Sequence, residues 1–366
     1  MRPATEAELA EMIHAARGPL RIRGGGTRDI GKPVAGELIS SAGMCGISLY
    51  EPGALTLVAG AGTPVAEIDA ALASEGQRLP FEPMDMRALL RTEGVPTVGG
   101  MVAANASGPR RVQAGACRDS LIGVRFVDGS GAIIKNGGRV MKNVTGYDLV
   151  KLLAGSWGTL GVLSECAFKL LPQPETEATI MTPAMSAAEA VALMSQALGT
   201  PFEVNGAART ADGRVALRIE GFAQQVRYRQ SALTTALGGD WEALEAEDSA
   251  ALWREIRDVA AFGPRPGDVW RVCVKPSDAP EMIARAGGAV VMDWGGGLNW
   301  LLVPEGTDLR ARLGTFAGHA TLIRASEATR ATLPVFQPEP APLTKIAKGL
   351  RAQFDPRGIL NPGLMG

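Results

Sequence analysis

The residues best placed to do chemistry lie in glycine-rich stretches of the first half of the chain. Arg23-Gly24-Gly25-Gly26-Thr27 follows a short strand signal, Leu20-Arg21-Ile22. A second stretch runs from Thr97-Val98-Gly99-Gly100 through Ala103-Ala104-Asn105-Ala106 to Ser107-Gly108. A third runs from Gly155 to Val162, with Gly158 and Gly161 inside it. Glycine brings no side chain and loses the most entropy on ordering, so core packing alone gives no reason for such runs. Consecutive backbone N–H groups form a concavity for anionic oxygens. A helix starting after Thr97 would add its positive end. The chemistry predicted is recognition of a large anionic ligand by main chain, although Arg23–Thr27 taken alone also reads as an ordinary glycine turn. Neither the G-x-G-x-x-G fingerprint nor a Walker loop stands there.

Few side chains are available for acid–base or metal chemistry. The chain has two histidines, His14 and His319, which removes most metal sites and most histidine-based triads. Its four cysteines, Cys45, Cys117, Cys166 and Cys273, form no CxxC pair, so no zinc or iron–sulfur site of this chain's own is expected. Ser107-Gly108-Pro109-Arg110-Arg111 reads equally as an anion-facing turn or a solvated charged loop.

A chain of 366 residues with 46% apolar residues has room for about two cores. A net charge of −1 gives no electrostatic case for nucleic acid or an anionic membrane. Met1–Leu9 has no signal-peptide core, and no apolar run reaches the roughly 18 residues a bilayer span needs. Scattered cysteines suit a reducing compartment. The expectation is a cytoplasmic protein, any contact with the inner membrane running through a complex.

The elements that position these stretches are legible. Thr5–Arg17 predicts a helix with Thr5 as N-cap, Glu8 completing a capping box, and His14 off the apolar stripe. Leu55–Ala59 predicts a strand, and Thr63-Pro64 the start of the next helix. Ser120–Val127 and Ala132–Lys135 predict a hairpin, Tyr147–Ala154 a short helix, and Gly161–Leu170 a closing strand. Pro172 and Pro174 mark a boundary. Beyond it, helices are predicted at Ser186–Met194, Ala223–Leu237 and Ser249–Val259. Strands are predicted at Ala216–Gly221 and Val269–Val274, with a hairpin of Ala289–Trp294 and Leu298–Val303. Trp294 and Trp300 read either as site residues or as sheet core. Leu343–Phe354 predicts a terminal helix.

Four blocks in order, Arg23–Thr27, Thr97–Asp119, Val140–Gly161 and Phe354–Gly363, resemble the PCMH-type FAD-binding domain of the vanillyl-alcohol-oxidase flavoprotein superfamily. Within it they are similar to the E-type (GlcE-type) subunits of glycolate oxidase. The resemblance is dense over Thr5–Pro172 and the last 15 or so residues, and thinner between, where Asp293–Trp300 is similar to a patch in that family. It implies an α+β fold: a two-part FAD-binding domain over residues 1–174, an α+β cap domain over 175–333, and a helix and tail over 334–366 that return to the FAD domain. It implies that Arg23, Gly24, Gly25, Gly26 and Thr27, with Thr97, Val98, Gly99, Gly100, Ala104, Ser107 and Gly108, hold the pyrophosphate. Gly161 and Val162 would face the adenine. Asp119, Tyr147 and Asp148 would order the surrounding loops. Asn361 would either hydrogen-bond near the flavin or simply stop the last helix. Many relatives attach FAD through a histidine in the first loop; Thr27 stands there, so noncovalent FAD is expected.

The function implied is that of an FAD-bearing subunit in a glycolate oxidase complex, partnered by a D-type flavoprotein and an F-type iron–sulfur subunit. Oxidation of a 2-hydroxy acid needs a base and a cation for the carboxylate. The D-type relatives carry histidine-rich machinery that this chain lacks. Two alternatives stand: a stand-alone flavin dehydrogenase with Tyr147 and Arg271 as candidate catalytic residues, or a structural subunit with little redox role.

Overall fold

The computed structural model describes residues 1–138 and 146–366. Val140 to Thr145 of the third sequence block lie outside the described residues. Two sheets organise the rest. The first has five strands in the spatial order Ile47–Glu51, Thr56–Gly60, Val162–Lys169, Leu121–Val127 and Ile133–Gly137, each antiparallel to its neighbour. The closing strand Val162–Lys169 lies at its centre, which is why Cys166, Ala167 and Phe168 are all buried. Phe168 and Cys166 pack with Ile68 and Leu72 of the helix Val65–Ala73 and with Met101 and Val102 of the helix Val98–Ala103.

The second sheet has eight strands, in the order Glu242–Glu245, Thr176–Ala184, Arg214–Gly221, Gly206–Arg209, Ala289–Asp293, Leu298–Val303, Asp268–Val274 and Gly318–Arg324. Strand side chains alternate between faces. Trp270 and Val272 therefore enter the main core, while Arg271 and Cys273 stay partly open. Helix Ala187–Leu198 covers the core face; Glu189 adds a capping box, and the Ser186 N-cap itself is formed as the sequence predicts. So is the Thr5 cap on the helix Glu6–Ala15. Thr63 differs: the helix begins at Val65 with no side-chain cap. The Thr63 hydroxyl instead accepts from the Gly46 N–H at 2.9 Å, tying the turn to the neighbouring strand.

The two sheets are joined by a buried ion network. Glu82 pairs with Arg218 at 2.8 Å, and Glu220 pairs with Arg78 at 3.0 Å and with Arg110. Asn205 bridges Arg218 and Glu220 at 2.9 and 2.7 Å. Burial pushes the Glu82 carboxyl up, but Arg218 and Arg110 outweigh it and hold it at about 2. Arg110 is therefore neither solvated nor anion-facing, as the sequence left open: its charge is spent joining the sheets.

The tail returns to the start of the chain. Leu20 donates to the Ile359 carbonyl at 2.7 Å, and Asn361 donates to the Leu20 carbonyl at 3.0 Å. A parallel bridge, Leu20 to Leu360, seats it beside the strand Leu20–Arg23.

Candidate functional site: a backbone-lined cavity between two glycine loops

Strand Leu20–Arg23 delivers its chain directly into the first glycine loop, which lies against the second. A Cβ on Gly25 would sit 1.6 Å from the Val95 carbonyl oxygen, and one on Gly24 would sit 2.7 Å from Thr97 Oγ1. Gly25 is required because two backbones touch each other there, and Gly24 because the Thr97 side chain stands against it. Gly100 is different. Its Cβ direction meets only Thr97 Oγ1 at 3.3 Å and Arg28 Nη1 at 3.7 Å. Thr97 Oγ1 couples the loops by accepting from the N–H groups of Gly25 (3.3 Å) and Gly100 (3.4 Å).

Beside this junction is a cavity of about 580 Å³. Of the sequence candidates, Arg23, Gly24, Gly25, Gly26, Thr27, Thr97, Gly99, Gly100, Gly161, Val162 and Asn361 line it. Among the described residues the N–H groups of Gly26 and Thr27 donate to no protein acceptor. The helix end contributes less than its position suggests. Val98 N–H is taken by the Thr63 carbonyl at 2.9 Å, and Gly99 N–H by the Ala61 carbonyl at 2.7 Å. The anion-binding capacity lies in the first loop, and in Arg28, which the sequence reading passed over although it directly follows that loop. Arg28 lines the cavity, gives one N–H to the Met84 carbonyl at 2.9 Å, and keeps a buried Nε with no partner. Burial holds its guanidinium below the ordinary arginine range despite the nearby Asp85. A buried cation with a spare donor, beside two free amides, is a receptor for an anion.

Asn361 works as a clamp. Its Oδ1 accepts from the Ile22 N–H at 2.7 Å and its Nδ2 donates to the Trp157 carbonyl at 2.9 Å. Trp157 also lines the cavity, as do Glu327 and Arg330 from the helix Glu327–Thr332. Arg330 holds the loop through Asp29 at 3.1 Å. No local motif announced these last two, because tertiary folding alone brings that helix to the loop.

The other candidates do not line the cavity. Val98 is in the core, and Ala104 caps its helix. Ser107 Oγ accepts from the Cys117 N–H at 3.0 Å. The Gly108 carbonyl accepts from the Trp294 indole at 3.0 Å. Asp119 accepts from the Ala116 N–H at 2.8 Å, and Asp148 caps the helix Leu149–Leu153. Tyr147 is 87% exposed, which leaves it no buried site in which to act as a base.

Arg271, the other catalytic candidate, stands in a second cluster. Its guanidinium lies 5.1 Å from the centre of the Trp294 ring, and Arg111 lies 4.5 Å from the same ring. Trp300 is core instead. His319 pairs in register with Cys273 on the neighbouring strand. Surrounding protein, then Arg271 and Arg111, hold its imidazole below the ordinary pKa.

Known proteins carry related sequences and a related fold. A model of the FAD binding domain family matches residues 1–137. Glycolate oxidase subunit GlcE of Escherichia coli (strain K12) is 35% identical over 98% of this chain and 96% of its own. The chain belongs to the GlcE family of glycolate oxidase subunits. Glycolate oxidase subunit GlcD of Bacillus subtilis (strain 168) is 37% identical over 36% of this chain and 24% of its own. An alkyldihydroxyacetonephosphate synthase structure superposes with a TM-score of 0.70 at 14% identity, covering 99% of this chain and 76% of that one, which shows a shared fold. FAD is the cofactor of this family. The loop amides, the unpartnered Arg28 Nε and the glycine loops that line the cavity suit its pyrophosphate. Among the described residues no helix is long and apolar enough to cross a membrane.

Proposed function

We propose that this chain is the FAD-bearing subunit of a glycolate oxidase complex, working with a D-type flavoprotein and an F-type iron–sulfur subunit. The observation that carries the reading is the end-to-end relation to a GlcE subunit, together with a cavity built from backbone donors. The oxidation of glycolate to glyoxylate releases two electrons and two protons; FAD, when bound, supplies a two-electron acceptor. This chain's own residues bind and orient. Gly26, Thr27 and Arg28 would hold the diphosphate, Gly161 and Val162 would border the adenine, and Asn361 fixes the loop to the tail. No imidazole stands in the loop, so attachment is noncovalent. The division into residues 1–174, 175–333 and 334–366 follows the same reading, with the tail part of the FAD-binding half.

Proton abstraction from the hydroxyl is assigned to the partner flavoprotein. The exposed Tyr147 and the cationic Arg271 are poor bases, and the only histidine near Arg271 is held below its ordinary pKa. The test is turnover. Purified chain with FAD should reduce an artificial acceptor with glycolate far more slowly than the reconstituted three-subunit complex. Full turnover by the isolated chain would sink the assignment.

A further inference from the structure

The first half of the chain does not supply the cavity wall alone. Helix Glu327–Thr332, which follows the last strand of the second sheet, sets Arg330 against it. Arg330 reaches the chain just beyond Arg28. Its Nη1 donates to the Asp29 carbonyl at 3.0 Å and to the Gly31 carbonyl at 3.4 Å, and its Nη2 donates to Asp29 Oδ2 at 3.1 Å. Its Nε is buried and has no partner. Among the described residues only Arg28 and Arg330 both line the cavity and hold a buried side-chain donor without an acceptor. A buried donor left unpaired is costly, so two on one wall call for a shared acceptor.

Charge points the same way. Arg28 meets the Met84 carbonyl rather than a carboxylate. Asp29, the acid that pairs with Arg330, has a side chain 75% exposed, so solvent screens that pair. Arg21 and Arg23 also border the cavity but stand in solvent. A diphosphate is dianionic, and Arg28 supplies a single charge. We propose that Arg330 is a second cation of the cofactor site, carried in by the other half of the chain, with its Nε donating to the diphosphate of bound FAD. The same guanidinium ties down Asp29 and Gly31, so bound FAD and the contact between the halves strengthen each other. The inference deepens the reading of this chain as FAD-bearing and rests on it for the cofactor. It does not depend on the partner subunits.

The experiment is calorimetric titration of the full chain, stripped of flavin, with FAD, ADP and riboflavin. ADP carries the diphosphate without the flavin, and riboflavin carries the flavin without phosphate. Arg330→Met should weaken FAD and ADP by about tenfold or more, the loss expected for a charge-assisted hydrogen bond, and should leave riboflavin as in the wild type. Arg330→Lys should recover only part of the loss, because lysine restores the charge without the Nε donor. Asp29→Ala separates contact from bracing. It deletes the side-chain link to Arg330 and removes a negative charge beside the cavity, so ADP should bind at least as tightly as to the wild type. Wild-type ADP affinity in both Arg330 variants, an equal loss of riboflavin, or a loss in Asp29→Ala as large as in Arg330→Met would each overturn the proposal. Melting temperatures of the stripped proteins show whether the methionine variant has folded; if it has not, the lysine variant decides. A wild-type chain that takes up neither FAD nor ADP would overturn the FAD reading as well. Wild-type binding that Arg330 does not influence would overturn this inference alone.

Discussion

At the scale of single residues, Gly25 and Gly100 look alike in the sequence and differ in the structure. A side chain at Gly25 collides with the opposing loop, whereas one at Gly100 points past Thr97 and Arg28. Gly25→Val should therefore lower the melting temperature as well as FAD content. Gly100→Val should lose FAD with a much smaller thermal shift. Thermal melts of apo protein beside flavin quantitation separate the two, and equal destabilisation by both would contradict the geometry. Asp293 gives a second residue-level prediction. Burial pushes its carboxyl up to about 7, against the Trp294 N–H and nearby Arg218 that favour the charge. Between the ordinary value of 3.8 and about 7 the folded chain keeps a proton that the unfolded chain has released, so this group subtracts stability as pH rises. Asp293→Asn keeps an acceptor for the Trp294 N–H and removes the titration. Its stability relative to wild type should rise across that window, by on the order of a few kcal/mol. A difference independent of pH in denaturant melts would refute this.

At the scale of elements, the tail is the informative piece. The resemblance implies a tail that returns to the first half of the chain, with Asn361 either near the flavin or a plain helix stop; the helix Ala341–Phe354 ends seven residues before Asn361, which then bonds to Ile22 and Trp157. Asn361→Ala leaves the partly buried Ile22 N–H and Trp157 carbonyl unpaired, at a cost of about 1–3 kcal/mol. It should also weaken FAD retention, because Ile22 and Trp157 both border the cavity. Unchanged melting and unchanged flavin retention on dilution would show that the tail is ornamental. Regular elements with strong periodicity and caps were legible: Ala223–Leu237 is observed with the bounds its pattern predicts, and the helix Glu6–Ala15 and strand Val162–Lys169 differ only at their ends. The helix at Thr97 was legible through its cap, but its loss of two N–H donors to Thr63 and Ala61 was not, because those partners lie in a turn more than thirty residues earlier.

At the scale of the whole molecule, the joint between the sheets is ionic and buried. Arg218 is 1% exposed, meets Glu82 and Glu220, and stacks 4.6 Å from the Trp253 ring. Nothing local in Leu217-Arg218-Ile219-Glu220 distinguishes these charges from the solvent face of an edge strand, so the sequence pattern could not reveal the network. Removing one member leaves the others uncompensated. Arg218→Met should cost about 3–5 kcal/mol and split unfolding into two transitions. A single transition near the wild-type midpoint would show the network to be dispensable. Glu82 sets the acid side: its pKa of about 2 lies below the ordinary 4.5, so its contribution is complete above 4.5 and is lost as pH falls toward 2. The cavity candidates were legible because backbone recognition leaves glycines in the sequence. Arg28 and Trp157 were not, because their roles depend on which strands and loops meet.

The central claim is that this chain itself holds FAD, through loop amides and a buried arginine and without a covalent bond. The direct measurement is the visible absorbance of the purified chain, followed by acid precipitation and separation of pellet from supernatant. Flavin in near-equimolar amount that moves entirely to the supernatant, and that is lost in Arg28→Met, is the predicted result. Flavin retained in the pellet, or a colourless chain that takes up no FAD on reconstitution, would contradict the account.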